Sequence, residues 1–215
     1  MIVIIDYGMG NLRSVQKAFE VSGAKAKLTS SPRDLKNAKK IILPGVGAFG
    51  SAMKELKRLK LVKPIKDAIG EGKYFLGLCL GLQLLFERSE EAPGVKGLCV
   101  LKGVVKRFKF YAPSPKPQAP SLKVPHMGWN TIDYRLSTID HRPSILKGVL
   151  EGSYVYFVHS YYVEPKDKGV ILTTTDYGKR FVSGVCRDNI YGFQFHPEKS
   201  QDVGLKIIKN FVRLK

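Results

Sequence analysis

Three short segments carry residues whose types and spacing suit covalent chemistry. In Gly77-Leu78-Cys79-Leu80-Gly81 a cysteine stands between two glycines, where a buried apolar run ends and the helical run Leu82, Leu85, Phe86 begins. A nucleophile on a tight strand-to-helix turn is forced up out of its sheet, and flanking glycines keep β-carbons out of the crowded bend. A helix start also offers positive dipole and unpaired N–H groups, which favour a thiolate. Cys99 and Cys186 fall inside β-rich runs with no glycine pair around them, so both read as small core residues and Cys79 is the nucleophile candidate.

A cysteine nucleophile needs a base, and usually a group that orients it. Phe193-Gln194-Phe195-His196-Pro197-Glu198 follows a predicted strand. Residues two apart in an extended chain face the same way, so His196 and Glu198 lie side by side, with Pro197 holding the backbone extended. His159, at the end of the run Tyr154 to Val158, is the runner-up base, whereas His126 and His141 lack a comparable strand-end carboxylate. The third segment, Pro44-Gly45-Val46-Gly47-Ala48-Phe49-Gly50, satisfies G-x-G-x-x-G. A dinucleotide-binding turn would open the first βα unit and be followed about 20 positions on by an acidic residue at a strand end. Here the turn lies in the third unit, and Asp67 and Glu71 belong to a Lys-rich helical stretch. The other use of such a turn is to present backbone N–H groups to an oxyanion. Gly8-Met9-Gly10-Asn11 is a weaker partial match, with Arg13 in place of the third glycine. The histidines and cysteines never approach ligand spacing, so neither a metal nor a cofactor is expected.

These segments must be positioned by elements that the apolar pattern marks out. Ile2 to Ile5, Ala26 to Thr29, Lys40 to Leu43 and Tyr74 to Leu78 read as buried strands. Helical spacing separates them, with Leu12, Val15 and Phe19 on one face and Ala52, Met53, Leu56 and Leu59 on another. Alternating strand and helix implies a parallel α/β sheet. The second half carries β-rich runs at Gly97 to Phe110, Tyr154 to Val158, Val170 to Thr175, Phe181 to Cys186 and Ile190 to Phe195, too close together for helices between them. The expected fold is therefore a single α/β domain over 1–215: a mixed, mainly parallel central sheet flanked by helices, with added antiparallel strands and a closing helix from about Ser200 to Leu214. Ala112 to Pro125 holds five prolines and reads as an extended loop.

Composition narrows the function classes. The chain has 215 residues, is 44% hydrophobic and 25% charged, and so should bury a core without disulfide or metal staples. Its three cysteines, odd in number and far apart, agree with a reducing compartment. No stretch reaches the length of a membrane span and Asp6 interrupts the apolar start, so a cytoplasmic protein is expected. The net charge of +18 is spread along the chain without a basic run or aromatic interleaving, which argues against nucleic acid as the partner.

The PGVGAFG turn, the GLCLGLQ elbow and the terminal HPEKS segment, in that order, resemble class I (triad) glutamine amidotransferases over the whole chain. Within that family DYGMGNLRSV, VPHMGWN and YFVHSY resemble the glutaminase subunits of imidazole glycerol phosphate synthases. The resemblance implies a flavodoxin-like fold and a Cys79, His196, Glu198 triad. It implies an oxyanion hole from the N–H of Leu80 and the turn Gly45-Val46-Gly47, and glutamine held by Gly47, Gln83, Glu91, Ser160 and Tyr161. His159 then lines the site without being the base. A heterodimer with a (βα)8-barrel cyclase is implied, met by Asn11, Trp129, Tyr156 and Lys199. A lone tryptophan is more often core packing, but Met127-Gly128 and Asn130 beside Trp129 read equally as a partly exposed turn. A triad subunit serving another synthase and a basic, non-enzymatic module on the same scaffold are the rival readings.

Overall fold

The computed structural model describes residues 1–109, 122–134 and 144–215. Strand and helix alternate through the first half: β1 (Ile2–Ile5), α1 (Leu12–Val21), β2 (Ala26–Thr29), α2 (Pro32–Asn37), β3 (Lys40–Leu43), α3 (Phe49–Arg58), α4 (Val62–Gly70), β4 (Tyr74–Leu78) and α5 (Leu80–Leu84). The strands β5 (Arg88–Ser89), β6 (Gly103–Arg107), β7 (His126–Tyr134), β8 (Ser153–His159), β9 (Tyr161–Pro165), β10 (Ile171–Asp176), β11 (Arg180–Arg187) and β12 (Ile190–Phe193) follow, and α6 (Gln201–Arg213) closes the described chain. The main sheet runs β2-β1-β3-β4-β12-β11-β10-β7-β8. Its first five strands are parallel, and β11, β10, β7 and β8 continue it antiparallel.

The parallel strands read as nearly unbroken apolar runs because both faces are covered. Val3 and Ile5 point to one side, against Phe49 and Leu56 of α3 and Ile65 of α4; Ile4 points to the other, against Phe19 of α1 and Phe211 of α6. Lys40, opening β3, is buried, and its ammonium donates to the carbonyls of Phe211 (3.0 Å), Val212 (2.5 Å) and Leu214 (2.7 Å) at the end of α6. A cation at a helix C-terminus satisfies carbonyls that have no intrahelical donor.

The second half differs from expectation in particular places. Of the described residues within Gly97 to Phe110, only Gly103–Arg107 is strand. Cys99 is not a core residue: the amides of Leu98, Cys99, Val100 and Leu101 bond back to carbonyls of Leu84, Phe86 and Leu85, and Cys99, at φ 55°, turns its side chain to solvent. Cys186 is partly buried in β11. Trp129 lies in strand β7 rather than a turn, paired with Tyr156 of β8. The stretch 112–121 of the proline-rich segment, and His141, lie outside the described residues.

Replacing Lys40 by Met should cost about 1–3 kcal/mol, because buried carbonyls lose their donor. A urea unfolding midpoint equal to that of the unaltered chain would show that the lysine does not hold α6.

Candidate active site

The chemical residues gather at the carboxyl edge of the parallel strands, where ligands bind in open α/β sheets. Cys79 follows β4 with φ 51° and ψ −106°, a left-handed backbone that costs a non-glycine residue of order 1–3 kcal/mol. The elbow requires its glycines: a β-carbon on Gly77 would sit 2.7 Å from the Gly81 carbonyl, and one on Gly81 would overlap the Leu43 carbonyl. The Cys79 amide donates to Phe193 O of β12 (2.7 Å), which ties the elbow to the strand that delivers the histidine.

His196 follows β12. Its Nδ1–H donates to Glu198 Oε1 at 2.8 Å, and both side chains are nearly buried. This leaves Nε2 for the Cys79 sulfur, which lines the same cavity. Burial disfavours a charged ring, yet the sulfur and the Glu198 carboxylate outweigh it and raise His196 to about 10. Glu198 Oε2 is buried without a hydrogen-bond partner among the described residues, so the imidazolium is the charge that compensates this carboxylate. The backbone of His196 is also fixed: its N–H donates to Tyr156 O (2.9 Å) and its carbonyl accepts from Ser200 Oγ (2.7 Å).

A cavity of about 320 Å³ opens beside the sulfur. Val46, Gly47, Cys79, Leu80, Gln83, Glu91, Ser160, Tyr161, His196 and Lys199, all singled out from the sequence, line it. Gly45 lies just behind: its carbonyl accepts the Leu80 N–H at 3.3 Å, so that donor is occupied. Gly47 has φ +98°, which favours glycine. Glu91 Oε2 accepts the Phe49 N–H (2.8 Å) and anchors the exit of the turn into α3. Trp129 and Tyr156 meet edge to face at 5.9 Å, and Lys199 Nζ lies 5.8 Å from the Tyr156 ring, so the cavity rim continues into this pair. Asn11 is separate from the cavity lining; its Oδ1 caps α1 by accepting from Ser14 N (3.2 Å). No cluster among the described residues has the donors to hold a metal.

Several residues at the site were not singled out as members. Tyr7 is buried after β1, and its hydroxyl donates to Pro44 O (2.9 Å) at the foot of the glycine turn. Burial, and then the nearby Cys79 sulfur, raise its pKa, so the phenol stays protonated. Gln194 is fully buried with Nε2 3.7 Å from Cys79 Sγ. Period-two spacing from His196 was the available signal for Gln194. His159, expected from the resemblance to line the site, forms a buried pair with His126, which was not singled out, and their tautomers follow from a fixed end. Tyr161 O can only accept, so His159 Nδ1–H donates to it (2.8 Å). His126 Nδ1–H then donates to His159 Nε2 (3.0 Å), and Asn130 Nδ2–H to His126 Nε2 (3.3 Å). Both rings are neutral, since burial pushes His126 down to about 4 and His159 to about 3. His159 therefore lines the cavity with no acceptor free to serve as a base.

Residues 3–214 match the family model described as glutamine amidotransferase class-I. The chain is 52% identical to imidazole glycerol phosphate synthase subunit HisH of Syntrophotalea carbinolica, over 98% of both chains. It is 50% identical to the subunit of the same name from Aquifex aeolicus, over 98% of this chain and 95% of that one. Among solved structures it is similar to one titled glutamine amidotransferase (TM-score 0.71, 18% identity, 99% of this chain and 100% of that one). It is also similar to PurLQS from Thermotoga maritima (TM-score 0.70, 18% identity, 98% and 96%). At those identities the structures establish the fold.

Folded-state pKa values depressed below 6.5 mean that the unfolded chain binds protons which the folded one refuses. The His126–His159 contribution to stability is thus present above about pH 6.5 and is lost as pH falls toward 4 and 3. Urea midpoints between pH 7 and 4.5 should fall more steeply for the unaltered chain than for His126→Leu; equal slopes would contradict the neutral pair.

Proposed function

The chain belongs to the class I glutamine amidotransferase family, and from that premise we propose that it is the glutaminase subunit of an imidazole glycerol phosphate synthase, with Cys79 as its nucleophile. The Cys79 thiolate attacks the carboxamide carbon of L-glutamine, and the tetrahedral oxyanion is taken up by the N–H of Leu80 and one from the turn Gly45-Val46-Gly47. His196, held by Glu198, gives its proton to the departing nitrogen and ammonia leaves. The same ring then draws a proton from water, which hydrolyses the glutamyl thioester to glutamate and frees the Cys79 thiolate. Gly47, Gln83, Glu91, Ser160 and Tyr161 would hold the substrate, since all line the cavity beside the sulfur. The observation that carries this reading is a buried cysteine on a strained elbow, sharing one cavity with an imidazole whose pKa the sulfur and then Glu198 raise.

Ammonia set free in neutral water is mostly protonated and no longer nucleophilic, so release must be coupled to a consumer. We assign that consumer as a (βα)8-barrel cyclase docking on the face that carries Trp129, Tyr156 and Lys199, with Asn11 at its margin. Trp129, Met127 and Tyr154 are exposed there, at 46%, 61% and 61%. Docking reaches the chemistry by a short route, because Tyr156 O accepts the His196 N–H and Lys199 lines the cavity. The Gly45 carbonyl on Leu80 N–H marks a resting arrangement, and catalysis requires that carbonyl to turn away. An oxyanion donor is worth about 10²–10³ in rate, so the resting chain should be slow by that order. Three free cysteines support a cytoplasmic setting, and no helix among the described residues is long and apolar enough to cross a membrane.

The test is glutamate release by the chain alone and with a cyclase subunit carrying its ligand, beside Cys79→Ser. Activity raised about 10²-fold or more by the pair, and absent from the variant, is the expected result. Turnover that the cyclase does not change would assign the chain to another synthase. Turnover retained by Cys79→Ser would remove the proposed nucleophile.

A further inference from the structure

The amide of Gln194 has its orientation set from two links away. Tyr161 O can only accept, so the nitrogen of Gln83 faces it (3.1 Å). That same nitrogen donates to Gln194 Oε1 (3.1 Å), which leaves Gln194 to present Nε2–H, and not its carbonyl, to Cys79 Sγ at 3.7 Å. Gln194 is fully buried and Gln83 nearly so, and the Gln194 backbone is pinned by donation to Ser183 O (2.8 Å). Reversing the Gln194 amide alone would set its nitrogen against that of Gln83 and turn its oxygen toward the sulfur, and reversing both would set the Gln83 oxygen against Tyr161 O.

The sulfur therefore sits between unlike neighbours. Val158 O, 3.7 Å away, can only accept and so favours the thiol. Gln194 Nε2–H can only donate and favours the thiolate. Other titratable groups around the sulfur are His196 and Tyr7, with His159, Glu91 and Lys199 lining the same cavity. His196 supplies charge to the thiolate but gives up its proton when ammonia departs and regains one from the attacking water. Gln194 has no proton to transfer, so its hydrogen bond is present unchanged at both steps, including the expulsion of the thiolate from the second tetrahedral intermediate.

We propose that Gln194 is a catalytic residue, whose side-chain N–H, aimed by the Tyr161 carbonyl through Gln83, stabilises the Cys79 thiolate both as nucleophile and as leaving group. This rests on Cys79 being the nucleophile. Gln194→Met keeps the bulk and removes the donor, and Gln194→Glu puts an acceptor in its place.

Alkylation of the isolated chain by iodoacetamide, followed at Cys79 by peptide mass across pH, should show its midpoint moved up by about one unit in Gln194→Met and further in Gln194→Glu. With the cyclase and its ligand, kcat for glutamine should fall about tenfold in Gln194→Met while KM stays within about twofold, as loss of a donor to the reacting atom alone requires. A folded Gln194→Met with the unaltered midpoint and kcat overturns the proposal while leaving Cys79 in place, whereas an active Cys79→Ser removes the nucleophile itself. If Gln194→Met does not fold, the side-chain ¹⁵N resonance of Gln194 in the unaltered chain is followed instead. It must move with the ultraviolet absorbance of the thiolate, and a resonance indifferent to thiolate formation overturns the proposal.

Discussion

The left-handed backbone at Cys79 is the constraint on which the rest of the site depends. A residue at φ 51° and ψ −106° is stable only if its surroundings hold it there. Three features do so: β4 buried between β3 and β12, the Cys79 amide fixed on Phe193 O, and two glycines whose missing β-carbons let α5 start against Leu43. The bend lifts the sulfur above the sheet edge, level with the ends of β1, β3 and β12. Tyr7, the glycine turn, Gln194 and His196 are delivered from those strand ends.

Charge and direction then follow from fixed acceptors. Backbone carbonyls and a carboxylate have no donor to give, so each sets the sense of the hydrogen bonds that reach it. Glu198 fixes the Nδ1–H of His196, and Tyr161 O fixes His159, His126, Gln83 and Gln194 together. One buried ring is held protonated and two are held neutral. The difference arises from a neighbouring carboxylate and sulfur in one case and burial among uncharged partners in the other. A single imidazole held protonated beside the cysteine is the arrangement that the proposed acid and base require.

The parallel half was legible because strands buried on both faces leave unbroken apolar runs: β1, β2, β3 and β4 begin and end where the sequence marks them. The elbow and the His196–Glu198 pair were legible for a similar reason, since local geometry alone demands glycine at Gly77 and Gly81 and places residues two apart on one side. The antiparallel extension was harder. β7 contains Met127-Gly128-Trp129-Asn130, with exposed apolar side chains and Gly128 at φ 132°, so it lacks the alternation of a half-buried strand. Leu98 to Leu101 resembled a strand but folds back onto Leu84 to Phe86, which exposes Cys99. Period-two spacing from His196 places Gln194 on the site's side of the chain, but its orientation depends on Gln83 and Tyr161, 111 and about 30 positions away, and no local pattern carries that.

A proposed nucleophile that is buried and a second cysteine that is exposed make a direct test possible. A glutamine analogue with an alkylating carbon in place of the amide, offered to the chain bound to its partner subunit, should label Cys79 and leave Cys99 and Cys186 untouched. Labelling that follows exposure, with Cys99 modified first, would contradict the account, because the strained elbow and its hydrogen bonds would then not be what makes a sulfur nucleophilic in this protein.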